Sequence, residues 1–137
     1  MDTYPSEKHP VRTGNAGALP PHFSPAILAP TSGRLLFISG MTAKRPDGSI
    51  AGLGDAGEQT VQVCENIASA VAAAGGTLAD VCDVTVYLRD IADYQAVNAV
   101  RQRYFPAPPP ASTLVEVSRF VSDDYLVEIS AVAVIPH

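Results

Sequence analysis

Residues 106–136 read PAPPPASTLVEVSRFVSDDYLVEISAVAVIP, and this stretch gives the clearest indication of the fold. The four prolines at its start end any preceding helix, because proline lacks the backbone N–H that a helix interior requires. Two runs rich in β-branched residues follow at 113–117 and 126–134, and they predict the last two strands of a sheet. Each run carries one glutamate, Glu116 or Glu128, among apolar neighbours. A charged residue inside such a strand indicates a polar sheet face or a site.

The preceding chain alternates between strand patterns and helix patterns. In the strand pattern at 82–88, Asp83, Thr85 and Tyr87 face the side opposite to the apolar residues. The helix pattern at 58–74 repeats its apolar residues at i, i+3, i+4 and i+7, as a single buried stripe requires. The four segments are strands at 34–39 and 82–88 and helices at 58–74 and from Asp90 or Asp93 to about Phe105.

This order of elements predicts an α+β fold with a mixed sheet and two helices packed on one face. The second face of the sheet also needs cover, because Val115, Val117, Val127 and Ile129 are too apolar to face water on either side. Self-association is the simplest cover. We expect a single domain over residues 18–137, preceded by a polar arm at 1–17 that has no periodicity.

The composition disfavours several classes of partner. The net charge is −5 and the densest basic pair is Lys44 with Arg45, so no nucleic-acid partner is expected. No apolar run approaches the ~20 residues of a membrane span, and the N-terminus has no apolar core of a signal peptide. We therefore expect no membrane partner and a cytoplasmic protein. Cys64 and Cys82 have no metal-binding spacing and are expected to be buried thiols.

Several short motifs together resemble the Rid superfamily, the reactive intermediate deaminases also called the YjgF family. They are FISG at 37–40, PDGSI at 46–50, QT at 59–60 with ENI at 65–67, AAGG at 73–76, DV at 80–81 with TVYL at 85–88, VN at 97–98, VEV at 115–117 and VEI at 127–129. The likeness runs from about residue 19 to the C-terminus. It rests on the order and spacing of the motifs, since each alone is common.

The resemblance implies a chorismate-mutase-like α+β fold that assembles as a homotrimer with clefts between subunits. It implies a small-molecule substrate, because well-known members hydrolyse enamines and imines such as 2-aminoacrylate to 2-keto acids and ammonia. No metal or organic cofactor is implied. A relative with a similar RPD-x-x-IAG stretch acts on 2-aminomuconate, and this chain reads RPDGSIAG at 45–52.

The resemblance also implies a catalytic residue and a departure from the usual site. Glu128 matches the glutamate that positions the catalytic water. Ser112 stands where the family's deaminases carry the arginine that binds the substrate carboxylate, because the PARS-like motif reads PAST at 110–113. A serine offers one neutral hydroxyl in place of a charged, two-pronged donor.

The missing arginine leaves three interpretations open. Another arginine reaches the cleft, with Arg119, Arg45 and Arg89 as candidates. Alternatively, the substrate has no carboxylate at that point. In the third interpretation, the site binds a metabolite without catalysing a reaction.

The expected substrate-binding residues lie around the same cleft. They are Ser112, Thr113, Tyr87, Phe23, Gly40 and Arg119. Gly40 ends a strand where a side chain does not fit or the backbone needs freedom. Phe23 stands where many members have a tyrosine, and Arg119 is expected to form an ion pair with Glu116, within the subunit or across its boundary.

These observations predict a cofactor-free hydrolytic deaminase that acts on a small enamine or imine, similar to 2-aminoacrylate or 2-aminomuconate. The alternative is a protein of the same fold that binds a small metabolite without turnover. A ribonuclease or translation inhibitor is a third possibility, which the acidic charge balance disfavours.

Overall fold

A computed structural model describes residues 7–12, 14, 17–18, 21–30 and 32–137. These residues form a four-stranded mixed β-sheet with two helices on one face, and a separate two-stranded sheet near the N-terminus. The elements are β1 (His9–Pro10), β2 (Ile27–Leu28), β3 (Arg34–Met41), α1 (Ala56–Ala73), β4 (Val81–Leu88), α2 (Tyr94–Tyr104), β5 (Ala111–Glu116) and β6 (Val127–Ile135). Short 3₁₀ turns at Leu78–Asp80 and Ile91–Asp93 precede β4 and α2.

The four long strands lie in the order β3-β6-β4-β5. The last strand in the sequence, β6, lies between β3 and β4 and runs antiparallel to both, whereas β4 and β5 are parallel. The parallel pair needs a crossover, which α2 supplies, and α1 connects β3 to β4 over the same face. The predicted α+β class, mixed sheet and one-sided helices are therefore confirmed.

The core lies between the sheet and the helices. It is built by the alternate residues of the two central strands and by one stripe of each helix. Its fully buried members include Val84, Val86 and Leu88 of β4, Val127, Ile129 and Ala133 of β6, and Cys64, Ile67 and Val71 of α1. Both cysteines are free and buried, as predicted, and burial raises the pKa of Cys64 to about 12. No helix in the described residues is long and apolar enough to cross a membrane.

The helix ends follow local capping chemistry. Asp55 accepts a hydrogen bond from the Glu58 backbone N–H at 3.1 Å, so α1 begins two residues before the predicted start. Gly75 ends it with a φ of +91°, which favours glycine. Asp90 caps the 3₁₀ turn ahead of α2, whereas Asp93 makes no side-chain cap bond. Of the two predicted caps, only Asp90 acts as one.

The sheet face opposite to the helices is open and apolar in part. Phe37 is 73% exposed, Leu35 is 64% exposed and Val115 is 40% exposed on this face. Val127 and Ile129, which the sequence suggested as apolar residues in need of cover, lie instead on the helix side and are fully buried. The open face thus keeps three large apolar side chains in water within a single subunit.

The described part of the N-terminal arm contacts the domain. β1 pairs antiparallel with β2, and Lys8 Nζ donates to the Val81 carbonyl at 2.7 Å. Residues 1–6, which belong to the predicted arm, lie outside the described residues.

A buried glutamine fixes the loop that leads into β6. The Gln59 amide nitrogen donates to the carbonyl of Asp124 at 2.7 Å and to that of Gly52 at 3.3 Å, and its oxygen accepts from the Leu126 N–H at 2.8 Å. Gln59 has no exposed surface. This one side chain of α1 therefore satisfies backbone groups on two loops and sets where β6 begins.

Gln59→Leu removes these bonds while keeping most of the volume. We expect the free energy of unfolding to fall by about 2–4 kcal/mol, because buried backbone groups lose their partners. Urea unfolding of the variant and of Gln102→Leu, a change on the exposed face of α2, measures the difference. Equal losses in the two variants would contradict this role of Gln59.

Candidate functional site

Glu128 lies on the open face of the sheet beside two other expected site residues. Tyr87 of β4 is its direct cross-strand partner, and both side chains are half-buried. On its other side, Glu128 packs against Gly40, where the pairing of β3 with β6 shifts register between Ile38 and Met41. The sheet therefore brings Gly40, Glu128 and Tyr87 into one row.

The glutamate side chain occupies the space that a side chain at position 40 would need. A Cβ atom built on Gly40 would lie 2.5 Å from Glu128 Oε2 and 2.7 Å from its Cδ atom. Both distances are shorter than any ordinary contact. The glycine thus allows the Glu128 carboxylate to lie directly on the β3 backbone, which gives the physical reason for a glycine at this strand end.

A second, hydroxyl-bearing row lies next to this one. Thr113 of β5 pairs with Thr85 of β4, which pairs with Ser130 of β6, and all three point to the open face. Thr85 and Ser130 also line a shallow depression of about 170 Å³ together with Phe37 and Asp83. A larger cavity of about 550 Å³ lies elsewhere, between the N-terminal arm and the end of β6.

Ser112 points the other way, toward α2. Its hydroxyl accepts a hydrogen bond of 2.6 Å from Nη2 of Arg101, and Nη1 of the same guanidinium donates to Asn98 Oδ1 at 2.9 Å. Ser112 and Thr113 are neighbours in the sequence but occupy opposite faces of the sheet. An arginine side chain therefore contacts Ser112, the residue at which the resemblance implies an arginine, and it comes from a different element.

The Arg101 guanidinium is buried without a compensating charge. Its residue is 1% exposed, and no carboxylate of the described residues lies within ion-pair distance. Two nitrogen atoms, Arg101 Nε and Asn98 Nδ2, are buried and have no hydrogen-bond partner among the described residues. Burial lowers the pKa of Arg101 to about 10, which leaves it positively charged at neutral pH. The group is a buried cation with donors to spare.

Phe23 belongs to a short segment that runs alongside the start of β5. Ser24 donates its backbone N–H to the Pro110 carbonyl at 3.0 Å and forms a bridge with Ala111. The His22 ring packs edge-on against Phe23 at 5.2 Å, and its Nε2 lies 3.4 Å from the Tyr94 hydroxyl. Burial, and then the positive charge of Arg101, lower the pKa of His22.

Within one subunit, none of the three arginines proposed as replacements bonds Ser112. Arg45 donates a hydrogen bond to the Ser49 hydroxyl within its own turn. Arg89 Nη1 lies 3.8 Å from Asp123 Oδ1, and Arg119 is exposed beyond the end of β5. The expected ion pair of Arg119 with Glu116 is not formed within the subunit. Instead, Glu116 accepts a hydrogen bond from the Ile91 backbone N–H at 3.0 Å.

The expected site residues thus fall into two groups and one outlier. Gly40, Glu128, Tyr87 and Thr113 share the open face, and Ser112 bonds the Arg101 guanidinium. Phe23 is grouped with Ser112, because the next residue, Ser24, bridges the start of β5. Arg119 is separate. Glu128 pairs with Tyr87, and Ser112 pairs with Val84 on the other side of β4. The rise per residue and the spacing between strands therefore place the Cα atoms of Glu128 and Ser112 about 14 Å apart within one subunit. A single three-carbon molecule cannot reach both groups of the same subunit.

Arg101 is not among the residues expected at the site, although one signal in the sequence marks it. Arg101 follows Val97 by four residues, so it falls on the apolar stripe of α2 that faces the core. An arginine on such a stripe indicates a buried charge and therefore a special environment. No set of three or more His, Cys, Asp or Glu side chains in the described residues is arranged to hold a metal ion.

The amino-acid sequence matches a known protein family. Residues 15–135 match the family profile described as Endoribonuclease L-PSP. The 3-aminoacrylate deaminase RutC of Acinetobacter baylyi is 38% identical over 114 residues, covering 83% of this chain and 90% of the relative. A RutC family protein of Pyrococcus horikoshii is 41% identical over 126 residues, covering 92% and 97%.

Solved structures agree with these sequence matches. A protein of the conserved Rid family from Yersinia pestis superposes with a TM-score of 0.87 at 28% identity, covering 94% of this chain and 99% of the other. A YjgF family protein from Neisseria meningitidis gives 0.68 at 34% identity, covering 87% and 92%. The chain belongs to the Rid (YjgF) family.

Proposed function

We propose that this protein is a cofactor-free hydrolytic deaminase of a small enamine or imine, and that it works as a homotrimer with its sites in clefts between subunits. The observation that carries the proposal is the Glu128 carboxylate, held half-buried against Gly40 and beside Tyr87 on the open face. The 38% identity to a 3-aminoacrylate deaminase supports the same reaction class.

The chemistry asks for one positioned base. An enamine first tautomerises to an imine, taking a proton on carbon and losing one from nitrogen. Water then adds to the imine carbon, and its proton passes through Glu128 to the nitrogen. The carbinolamine collapses to a ketone or aldehyde and ammonia, so that one water is consumed and one ammonia is released. Glu128 contributes by orienting the water and by moving the proton.

The placement of the two polar groups supports a site shared by two subunits. About 14 Å separates Glu128 from the Ser112 group within one chain, and they face opposite sides of the sheet. The apolar open face, with Phe37 and Leu35, offers the surface on which a second copy packs. In our proposal, the open-face group of one subunit meets the edge of β5 of its neighbour.

Glu128→Gln tests the assignment of the base. We expect kcat for an enamine generated in situ by a lyase to fall by about 10²–10⁴, with little change in KM, because the amide cannot accept the proton. Ammonia release measures the rate. The control is Asp124→Asn, which removes an exposed carboxylate from the loop before β6 and is expected to keep full activity.

Unchanged turnover in Glu128→Gln would refute its role as the base. No acceleration by the unmodified protein across several enamines would instead favour the metabolite-binding alternative. The family profile also carries an endoribonuclease name. RNA cleavage that is lost in Glu128→Ala would replace the deaminase proposal with that activity.

Gly40→Ala moves the carboxylate without removing it. The new methyl group needs the space of the Glu128 carboxylate, so we expect the side chain to rotate away and kcat to fall about 10²-fold. The control is Gly57→Ala, whose methyl group would meet only ordinary contacts, the nearest at 3.4 Å. Full activity in Gly40→Ala, with the fold verified by circular dichroism, would contradict the placement.

A further inference from the structure

We infer that Arg101 of α2 is the anion-binding residue of this protein and holds the carboxylate of a small substrate through and beside the Ser112 hydroxyl. The inference rests on the proposed function for its substrate class, but its central test needs only binding. It assigns a residue on a different secondary-structure element to the task that the arginine of the PARS-like motif performs in the family's deaminases.

The first support is the unused donor capacity of the guanidinium. Arg101 has five N–H groups, and the described residues accept from two of its nitrogens, at Asn98 and at Ser112. Its Nε is buried with no partner among those residues, and so is the Asn98 amide nitrogen. Spare donors around a fixed cation suit a carboxylate, which accepts through two oxygens.

The second support is the absence of a counter-ion in the described structure. Burying a guanidinium is costly unless an anion or several acceptors compensate it. Asn98 and Ser112 are neutral, and burial and the Arg101 charge lower the pKa of the neighbouring His22. A neutral side chain would tie α2 to β5 more cheaply, whereas an incoming carboxylate would balance the charge.

The third support is the path from the surface. Arg101 lies behind Ser112, which is half-buried on β5, an edge strand of the sheet. The Ser112 hydroxyl accepts from Nη2, so its own hydrogen is free to donate to a ligand oxygen. His22 and Phe23, both half-buried, belong to the segment whose Ser24 bridges Ala111, the neighbour of Ser112. A carboxylate at this position would accept a hydrogen bond from the Ser112 hydroxyl and would be attracted by the positive charge of Arg101.

Arg101→Met tests the inference with pyruvate as the probe, since it is a small, stable 2-keto acid. We expect the dissociation constant for pyruvate, measured by isothermal titration calorimetry, to rise about 10²-fold when the charged partner is removed. Arg103→Met lies two residues away on the exposed side of α2 and is expected to bind pyruvate as the unmodified protein does. Ser112→Ala keeps Arg101 and is expected to weaken binding about 10-fold.

Thermal unfolding separates binding from a merely structural role. Methionine keeps the apolar stem and removes an uncompensated buried charge, so we expect the Tm of Arg101→Met to stay equal or rise. A lower Tm with unchanged pyruvate affinity would overturn the inference and make Arg101 a structural tie. If Arg101→Met does not fold, unchanged pyruvate affinity in the folded Ser112→Ala variant would overturn it.

His22 reports the charge of Arg101 independently. Its ring lies beside Tyr94 and Phe23 and experiences the Arg101 charge, which lowers its pKa. Proton NMR titration should show the pKa of His22 rise in Arg101→Met, and also rise when pyruvate neutralises Arg101 in the unmodified protein. Arg101→Met should show no further rise with pyruvate. A pyruvate response that survives in Arg101→Met would place the anion elsewhere and refute the inference.

Mixed assemblies distinguish failure of this inference from failure of the proposed function. Arg101→Met and Glu128→Gln subunits, each inactive alone, should regain roughly a quarter of full activity when refolded together at equal amounts, because random pairing restores that share of clefts between subunits. Loss of turnover in Glu128→Gln, with unchanged KM and pyruvate binding in Arg101→Met, would refute only the role of Arg101. Pyruvate binding that depends on Arg101, without turnover of any enamine, would refute only the deaminase.

Discussion

The insertion of β6 between β3 and β4 is the constraint on which the rest of this structure depends. Because β6 is paired on both sides, a slip of one residue would move its apolar set to the open face and its polar set into the core. Ile129 and Ala131 therefore hold Glu128 and Ser130 on the open side. Gln59 reinforces the register from α1, since it fixes the loop at the point where β6 begins.

This register places the Glu128 carboxylate against the backbone of β3. The change of pairing at the end of β3 places Gly40 next to Glu128, and only a glycine leaves room for the carboxylate there. Tyr87 borders the other side through β4. A carboxylate with such neighbours has few rotamers available, which is the preorganisation that a base acting on one water molecule requires.

The buried Arg101 guanidinium is held by neutral side chains. It places a cation among neutral acceptors, where the usual arrangement would pair it with a carboxylate. A paired guanidinium has little left to offer a ligand, whereas this one keeps donors and charge. The cost of burial falls on the folded subunit, and we propose that substrate binding offsets it.

The sequence by itself determined the elements and their faces. Alternation at 82–88 and the i, i+4 stripe of α1 predicted which side chains are buried, and the turn and cap residues predicted most element ends to within two residues. These features depend on neighbours within one or two turns of the chain, so a local pattern carries them. The alternation also predicts that Tyr87 lies on the polar side, as it does in the structure.

Contacts between residues that are distant in the sequence follow from the tertiary structure alone. Gly40 and Glu128 are far apart in the sequence and become neighbours because β6 inserts between earlier strands. Arg101 reaches Ser112 across the proline-rich loop, and the residue type alone did not distinguish it from Arg45, Arg89 or Arg119. Such contacts arise from strand order and from the path of the loops, which many sequences with the same local pattern would not share.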